Sequence, residues 1–585
     1  MRSWVQKSTL KKLLAEIKPY RVLVIISLVM ALICVADTIL VPLHIGEGID
    51  IITEHEIDFE ELIVVIIWII GSITVSGTAH WVLNVINNKI VYNVIRDMRK
   101  KAFEHIQTLP VSYLDGHSHG EIVSRMIPDI DHLADGLLVG FTETFMGVLT
   151  ILAMLVVMFV VNPWLALVAV VLTPFSLLVA KFIADKSHKH FENQAASRGA
   201  ECGYANEIIS NEKVVRAYNQ EGRVMKKYGE YNEAHRAHSL KAVFFSSLVN
   251  PTTRFVNAII YALIGVIGAV IIVKGGEEAL TIGMLTCFLS YASQYAKPFN
   301  EISGVIAELK HAFVCADRVY EFLETPGETE PTKPILMKPT EGHVEIKNVS
   351  FSYDLDKPLI TNFNLDVKPG EHVAIVGRTG CGKTTLINLL MRYYEVKSGE
   401  ILIDGEPISE MRREEVRSKF GMVLQDTWIR KGTVYDNIRV GAENATDEEV
   451  QKAAKAAYAD SFIRLLPNGY DTELNENGEG LSEGQKQLLC IARVMLQLPP
   501  MLILDEATSS IDTRTEYHIQ QGFEKLMEGR TAFIVAHRLS TIVNADRILV
   551  MQDGHVVEQG THKELLASKG AYYELYESQF NGIAV

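Results

Sequence analysis

The stretch GRTGCGKTT, Gly377 to Thr385, decides how the second half of this chain must fold. A β-like apolar run, His372 to Val376, comes just before it and the helix-like TTLINLLMRYY overlaps its end. That strand, loop and helix order fits the phosphate-cradling pattern G-x-x-x-x-G-K-[ST]. Gly377, Gly380 and Gly382 allow positive φ, so the backbone N–H groups of Arg378, Thr379, Cys381 and Thr385 can close on phosphate oxygens. The helix starting near Lys383 points its positive dipole end at the same anion. Lys383 is placed to reach the β/γ-phosphates and Thr384 to ligate Mg²⁺. A nucleoside triphosphate is the first ligand the sequence predicts.

Upstream of residue 310 the chain is of a different kind. Of the 585 residues 48% are hydrophobic, and the surplus lies almost wholly in the first half. Six apolar runs, Val22 to Val41, Leu62 to Ile86, Leu137 to Val161, Trp164 to Ala180, Phe255 to Val273 and Leu280 to Ala296, each approach the ~20 residues that cross hydrocarbon. The first is too long for a signal-peptide core and no small-residue cleavage site follows, so it reads as a retained span. Residues 1–20, with Lys7, Lys11, Lys12 and Lys18 among apolar positions, form an amphipathic element suited to the inner membrane surface.

Lysines and arginines crowd the loops between spans two and three and between spans four and five, while Glu47, Asp50, Glu54, Glu56 and Asp58 fill the first external connection. The positive-inside rule therefore puts both long loops and both termini in the cytoplasm. The helical periodicity of those loops predicts that the spans continue beyond the bilayer. Asp37, His80, Asn84, Glu143, Arg254, Asn257 and Gln294 fall at or near hydrocarbon depth, where polar groups either pair between helices or line a cavity. A net charge of −15 without a basic stripe argues against a nucleic-acid partner, and six scattered cysteines show neither disulfide nor metal spacing.

Pro326, Pro331, Pro334 and Pro339 mark residues 323–341 as a linker. Beyond it, β-like runs at His343 to Val349, His372 to Val376, Phe420 to Leu424, Met501 to Leu504, Thr531 to Val535 and Arg547 to Met551 alternate with helical segments. That alternation predicts an α/β domain with a largely parallel sheet. Ligands sit outside the carboxyl ends of such strands. There the sequence places the phosphate loop, Gln425, Asp505 with Glu506, and His537. Asp505 suits Mg²⁺, Glu506 a water-polarising base, and His537 a group holding the γ-phosphate.

These motifs resemble those of an ATP-binding-cassette exporter of the half-transporter kind. FSY with Tyr353 resembles the adenine-stacking aromatic, Gln425 the Q-loop, LSEGQ from Leu481 to Gln485 the family signature, SSID ending at Asp512 the D-loop, and AHR the switch histidine His537. The resemblance implies a type IV-like membrane domain of six long helices (21–322) followed by a P-loop ATPase domain (342–585). It implies ATP with Mg²⁺ held by Thr384, Gln425 and Asp505, and catalysis by Glu506, His537 and Gln425. It also implies a second half-transporter, whose ATP Ser482, Gly484 and Gln485 would contact. Two cytoplasmic stretches, Tyr113 to Asp131 and Glu207 to Glu221, resemble coupling loops, with contacts expected near Gly116 to His119 and Ser210 to Lys213.

One departure stands out. Glu483 occupies a glycine position of the signature, beside the place where a partner's γ-phosphate would lie. Charge repulsion there predicts a heterodimer with unequal ATP sites, rather than a homodimer in which Glu483 turns outward. The expected cargo is a hydrophobic or amphipathic solute or lipid, carried across a bacterial plasma membrane. A lipid flippase and a slow-hydrolysing ATP-gated channel or regulatory subunit are the alternative readings.

Overall fold

The computed structural model describes residues 7–53, 58–275, 280–335, 339–354, 357–424, 427–505, 511–535 and 542–580. Two compact units emerge, one from Met1–Gln107 with Ser118–Thr325, the other from Thr108–His117 with Pro326–Val585. The second unit thus recruits a ten-residue excursion from within the first half of the chain.

The apolar runs fold into helices. In chain order these are α1 (Lys7–Ile17), α2 (Arg21–Thr53), α3 (Phe59–Ile106), α4 (Val111–Gly116), α5 (His119–Met126), α6 (Pro128–Val139) and α7 (Phe145–Val161). Then come α8 (Pro163–Ser210), α9 (Glu212–Ala217), α10 (Glu221–Ser247), α11 (Val249–Gly275) and α12 (Ile282–Leu323). At 1.5 Å per residue, the 48 residues of α3 and of α8 each run about 72 Å, more than twice a bilayer's ~30 Å hydrocarbon core. Among the described residues, the stretches Ser8–Thr53, Phe59–Ile106, His119–Val161 and Glu221–Lys274 are long and apolar enough to cross a membrane. The expected fourth span falls within α8, and the sixth, apart from Leu280 and Thr281, within α12.

Local chemistry sets the ends. Asn162 accepts from the N–H groups of Trp164 and Leu165, capping α8, whose first residue is Pro163. Asp50 lies in the last turn of α2, where an external loop was expected, and accepts from the Thr281 hydroxyl and the Gly283 N–H, both at 2.7 Å. Glycine permits that approach, because a Cβ at position 283 would lie 2.1 Å from the Gly46 carbonyl. The amphipathic α1 is tied down by a Lys12–Glu324 ion pair and by Glu16 with Lys101 at 2.7 Å.

The second unit contains twelve strands among its described residues: β1 (Val344–Phe351), β2 (Ile360–Val367), β3 (His372–Val376), β4 (Ser398–Ile403), β5 (Glu406–Pro407), β6 (Phe420–Val423), β7 (Gly432–Thr433), β8 (Glu473–Leu474), β9 (Met501–Asp505), β10 (Thr531–Val535), β11 (Arg547–Gln552) and β12 (His555–Gly560). Its helices are α13 (Lys383–Leu390), α14 (Arg413–Ser418), α15 (Val434–Arg439), α16 (Asp447–Ala456), α17 (Asp460–Ile463), α18 (Glu483–Gln497), α19 (Thr513–Met527), α20 (His562–Ser568) and α21 (Ala571–Phe580).

A six-stranded sheet, ordered β12-β11-β3-β10-β9-β6, is parallel except at the β12 edge. The run at His343 to Val349 does not join it. As β1 it pairs antiparallel with β2 and β4 in a separate sheet, β2-β1-β4-β5. The reason is visible in burial: β3 and β10 are almost continuously buried, as a doubly covered parallel strand must be, whereas β1 and β2 alternate.

Residues 326–335 belong to the second unit and are held there. The buried Arg413 guanidinium donates to the Thr329 carbonyl and pairs with Glu328 and Glu330 at 3.6 Å and with Glu395. Glu328 also pairs with Arg417, and its N–H donates to the Thr108 carbonyl at 2.7 Å.

Candidate active site

Parallel register brings the reactive ends of the strands together. Val535 aligns with Asp505 and with Ile375, and Leu504 aligns with Val423, so the segments after β3, β6, β9 and β10 leave from one sheet edge. After β3 the loop turns at Gly377, Gly380 and Gly382, with φ of 155°, 84° and 104°. A Cβ at position 377 would lie 2.3 Å from the Met551 carbonyl oxygen, so only glycine fits beneath this loop.

The crest of the loop, Arg378, Thr379 and Gly380, is exposed, as is Thr384. Cys381 and Thr385 are buried supports. Lys383 opens α13 and is only 9% exposed. Its ammonium folds back to donate to the carbonyls of Gly377 at 2.7 Å and Arg378 at 3.1 Å. A cation held by two neutral acceptors is poised to exchange them for charged phosphate oxygens, which bind it more strongly. Asp505 closes β9 at the same sheet edge.

Tyr353 stands over α13. Its hydroxyl donates to Thr385 Oγ1 at 3.3 Å and accepts from Asn388 Nδ2 at 3.2 Å. Edge-to-face contacts with Phe351 and Tyr394, both at 4.9 Å, fix the ring, which remains 52% exposed. Tyr394 in turn donates its hydroxyl to Asp115 of α4. Burial, and then that carboxylate, push the Tyr394 phenol well above its usual range. Asp115 immediately precedes the expected contact stretch Gly116 to His119. Asn388 and Tyr394 carry no motif, and only the folded chain brings them to Tyr353 and links Tyr394 to Asp115.

The LSEGQ stretch forms the start of α18. Ser482 caps the helix, accepting from the Gln485 N–H at 3.3 Å while its own N–H donates to Gln485 Oε1 at 2.9 Å. Gly484 is packed so tightly that a Cβ there would lie 2.4 Å from Thr515 Cγ2 of α19. Glu483, in the first turn of α18, is 65% exposed and pairs at 2.8 Å with Lys486, which is 14% exposed. Asp512 caps α19, and the N–H groups of Thr515 and Arg514 hold its carboxyl below the usual range. Gln425, Glu506 and His537 lie outside the described residues.

Comparison with known proteins matches both halves. Residues 24–299 fit the family model for the ABC transporter transmembrane region, and residues 360–509 fit the ABC transporter model. The chain is 36% identical over 575 residues to the uncharacterized ABC transporter ATP-binding protein YfiC of Bacillus subtilis, covering 98% of this chain and 94% of that one. It is 38% identical over 528 residues to a fatty acid ABC transporter ATP-binding/permease protein of Mycobacterium bovis, covering 90% and 83%. A solved bacterial Atm1-family ABC exporter with ATP bound superposes with a TM-score of 0.78 at 27% identity, covering 96% of this chain and 98% of that one.

Proposed function

We propose a division of labour among the residues of this chain, which belongs to the ABC transporter family as an exporter of fused membrane and ATPase domains. It is a multi-pass plasma-membrane protein that drives export with ATP hydrolysed in its cytoplasmic domain. The triphosphate rests on the exposed crest of the Gly377–Thr385 loop, Lys383 turns from the loop carbonyls to the β/γ-phosphates, and the open face of Tyr353 takes the adenine. A Thr384 hydroxyl and an Asp505 carboxylate form a hard oxygen donor set that fits Mg²⁺, joined by Gln425. Bound there, the ion neutralises phosphate charge. Glu506 orients and deprotonates the attacking water, and His537 holds the γ-phosphate. The observation that carries this reading is the Lys383 ammonium, anchored on its own loop at the sheet edge that Asp505 shares.

Only half a site lies in this chain. Ser482, Gly484 and Gln485 serve the ATP held by a second half-transporter, and Glu483 makes that second site the weaker one of a heterodimer. The cargo is a hydrophobic or amphipathic solute, a reading supported by the fatty acid transporter among its relatives. The test is Glu506→Gln, which leaves ATP binding in place and abolishes steady-state hydrolysis and uphill transport. Unchanged solute flux would overturn the pump. Purification of the chain alone as a stable homodimer, hydrolysing vigorously at both sites, would overturn the heterodimer.

A further inference from the structure

The polar residues at hydrocarbon depth sort by charge. One cavity of about 590 Å³, between α8, α11 and α12, is lined by Arg254, Asn257, Tyr261, Gln294 and Lys297, with Ile260 and Ile264 on its wall. A second, of about 750 Å³, is lined by Asp37, His80, Asn84 and Glu143 and shares Gln294 and Lys297 with the first. Two helix irregularities meet at the second cavity. Glu143 sits in a π-helical turn, Gly140–Thr144, and Pro298 interrupts α12. Such turns recur at functional sites because they re-aim side chains at no great loss of hydrogen bonding.

Among the described residues, the first cavity is lined by two cations and by no carboxylate. Among the described residues neither Arg254 nor Lys297 makes an ion pair. Arg254 stands at the head of the fifth span and Lys297 just past the end of the sixth, where a cation beside an apolar wall gains from an anion brought by a ligand. The second cavity is mixed, since Lys297 shares its lining with Asp37 and Glu143, and Asp37 already accepts from the Ser72 hydroxyl. Asn257, Tyr261 and Gln294 add neutral hydrogen-bonding groups around the cations, and Ile260 and Ile264 offer an apolar surface beside them.

We infer that the cavity between α8, α11 and α12 binds the anionic headgroup of an amphiphile, so that the exported cargo is a long-chain carboxylate or a similar oxyanion. Arg254 supplies the planar fork that matches a carboxylate, and Lys297 a second point charge. The inference rests on the export reading and gives it a substrate class.

The experiment uses the co-purified assembly containing the full-length chain, in lipid nanodiscs without nucleotide. Binding of radiolabelled hexadecanoate is competed with hexadecanoate, hexadecanol and hexadecylamine. The carboxylate should compete at least about tenfold better than the alcohol, a difference of about 1.4 kcal/mol. Arg254→Gln and Lys297→Gln should each erode that preference and together abolish it, while affinity for labelled hexadecanol persists and shows that the variants are folded. Arg254→Lys should restore part of the preference. Should a Gln variant lose hexadecanol as well, the Arg254→Lys variant decides, and its failure to prefer the carboxylate overturns the inference. Equal competition by acid and alcohol, a preference for the amine, or a preference that survives the double substitution also overturns it. Since binding is read without ATP, a failed preference leaves Glu506-dependent hydrolysis and transport to be judged separately.

Discussion

The pair Glu483–Lys486 makes a test of the unequal-site proposal that is quantitative in both sign and size. Two unit charges about 4 Å apart interact by about 1 kcal/mol in water and about 4 kcal/mol at an effective dielectric of 20. Glu483 is 65% exposed, which sets the interaction with a nearby triphosphate toward the lower figure, and Lys486 at 2.8 Å offsets part of what remains. Glu483→Gln should therefore strengthen ATP occupancy at the site served by this signature by about 1 kcal/mol, roughly fivefold. Lys486→Ala should weaken it by a similar factor, because the carboxylate then faces the phosphates without its counter-ion. In a chain already carrying Glu483→Gln, Lys486→Ala should do little, leaving a coupling of about 1 kcal/mol in the double-mutant cycle. The assay is ATP binding and steady-state ATPase of the co-purified assembly across ATP concentrations. Thermal unfolding serves as a control, since a carboxylate in the first turn of α18 stabilises that helix by some tenths of a kcal/mol. Additive effects on ATP, with coupling only in unfolding, would show that the pair is a surface ornament of α18, and the electrostatic case for two unequal sites would fall.

Tyr394→Phe keeps the ring against Phe351 and Tyr353 but deletes the donor to Asp115. It should leave ATP affinity within about twofold and cut the ratio of solute-stimulated to basal ATPase about fivefold, near the ~1 kcal/mol of one exposed hydrogen bond. An unaltered ratio removes Tyr394 from the coupling route. Arg413→Ala strips a buried cation from Glu328, Glu330 and Glu395. Glu330 and Glu395 are nearly half exposed and can be rehydrated, so the loss should be about 2–3 kcal/mol rather than the 3–5 of a fully buried pair. That lowers the unfolding midpoint by roughly 5–10 °C, and a midpoint within a degree of the parent would show that the segment is not clamped.

What could be read from sequence was what is local. The phosphate loop is written in consecutive residues, and its glycines take the positive φ that the pattern requires. The position of Asp505 at the end of an apolar strand is local in the same sense, and it closes β9 as its run of residues implies. What the sequence left open shares a cause. His343 to Val349 looks like β3 in propensity, and only its alternation with β2 and β4, strands without a strong local signal, assigns it to the antiparallel sheet. Residues 326–335 read as a proline-rich linker because Arg413, their anchor, lies some eighty positions away. Asp115 and Tyr394 are separated by 279 positions, and the coupling-loop resemblance around Asp115 does not single out Tyr394 as what it meets.

The intramembrane polar residues make the same point more sharply. Each of the seven could be picked out singly by its cost in hydrocarbon, yet none could be given a role, because pairing with another helix and facing a cavity cost the same in one dimension. Folding separates them into a basic chamber around Arg254 and a mixed one around Asp37 and Glu143, with Gln294 common to both. Lys297 was absent from that set, yet it completes the charge of the first chamber and tempers that of the second. A specificity argument therefore becomes possible only when the sum of charges around a cavity is known, and that sum depends on which faces α8, α11 and α12 turn toward one another.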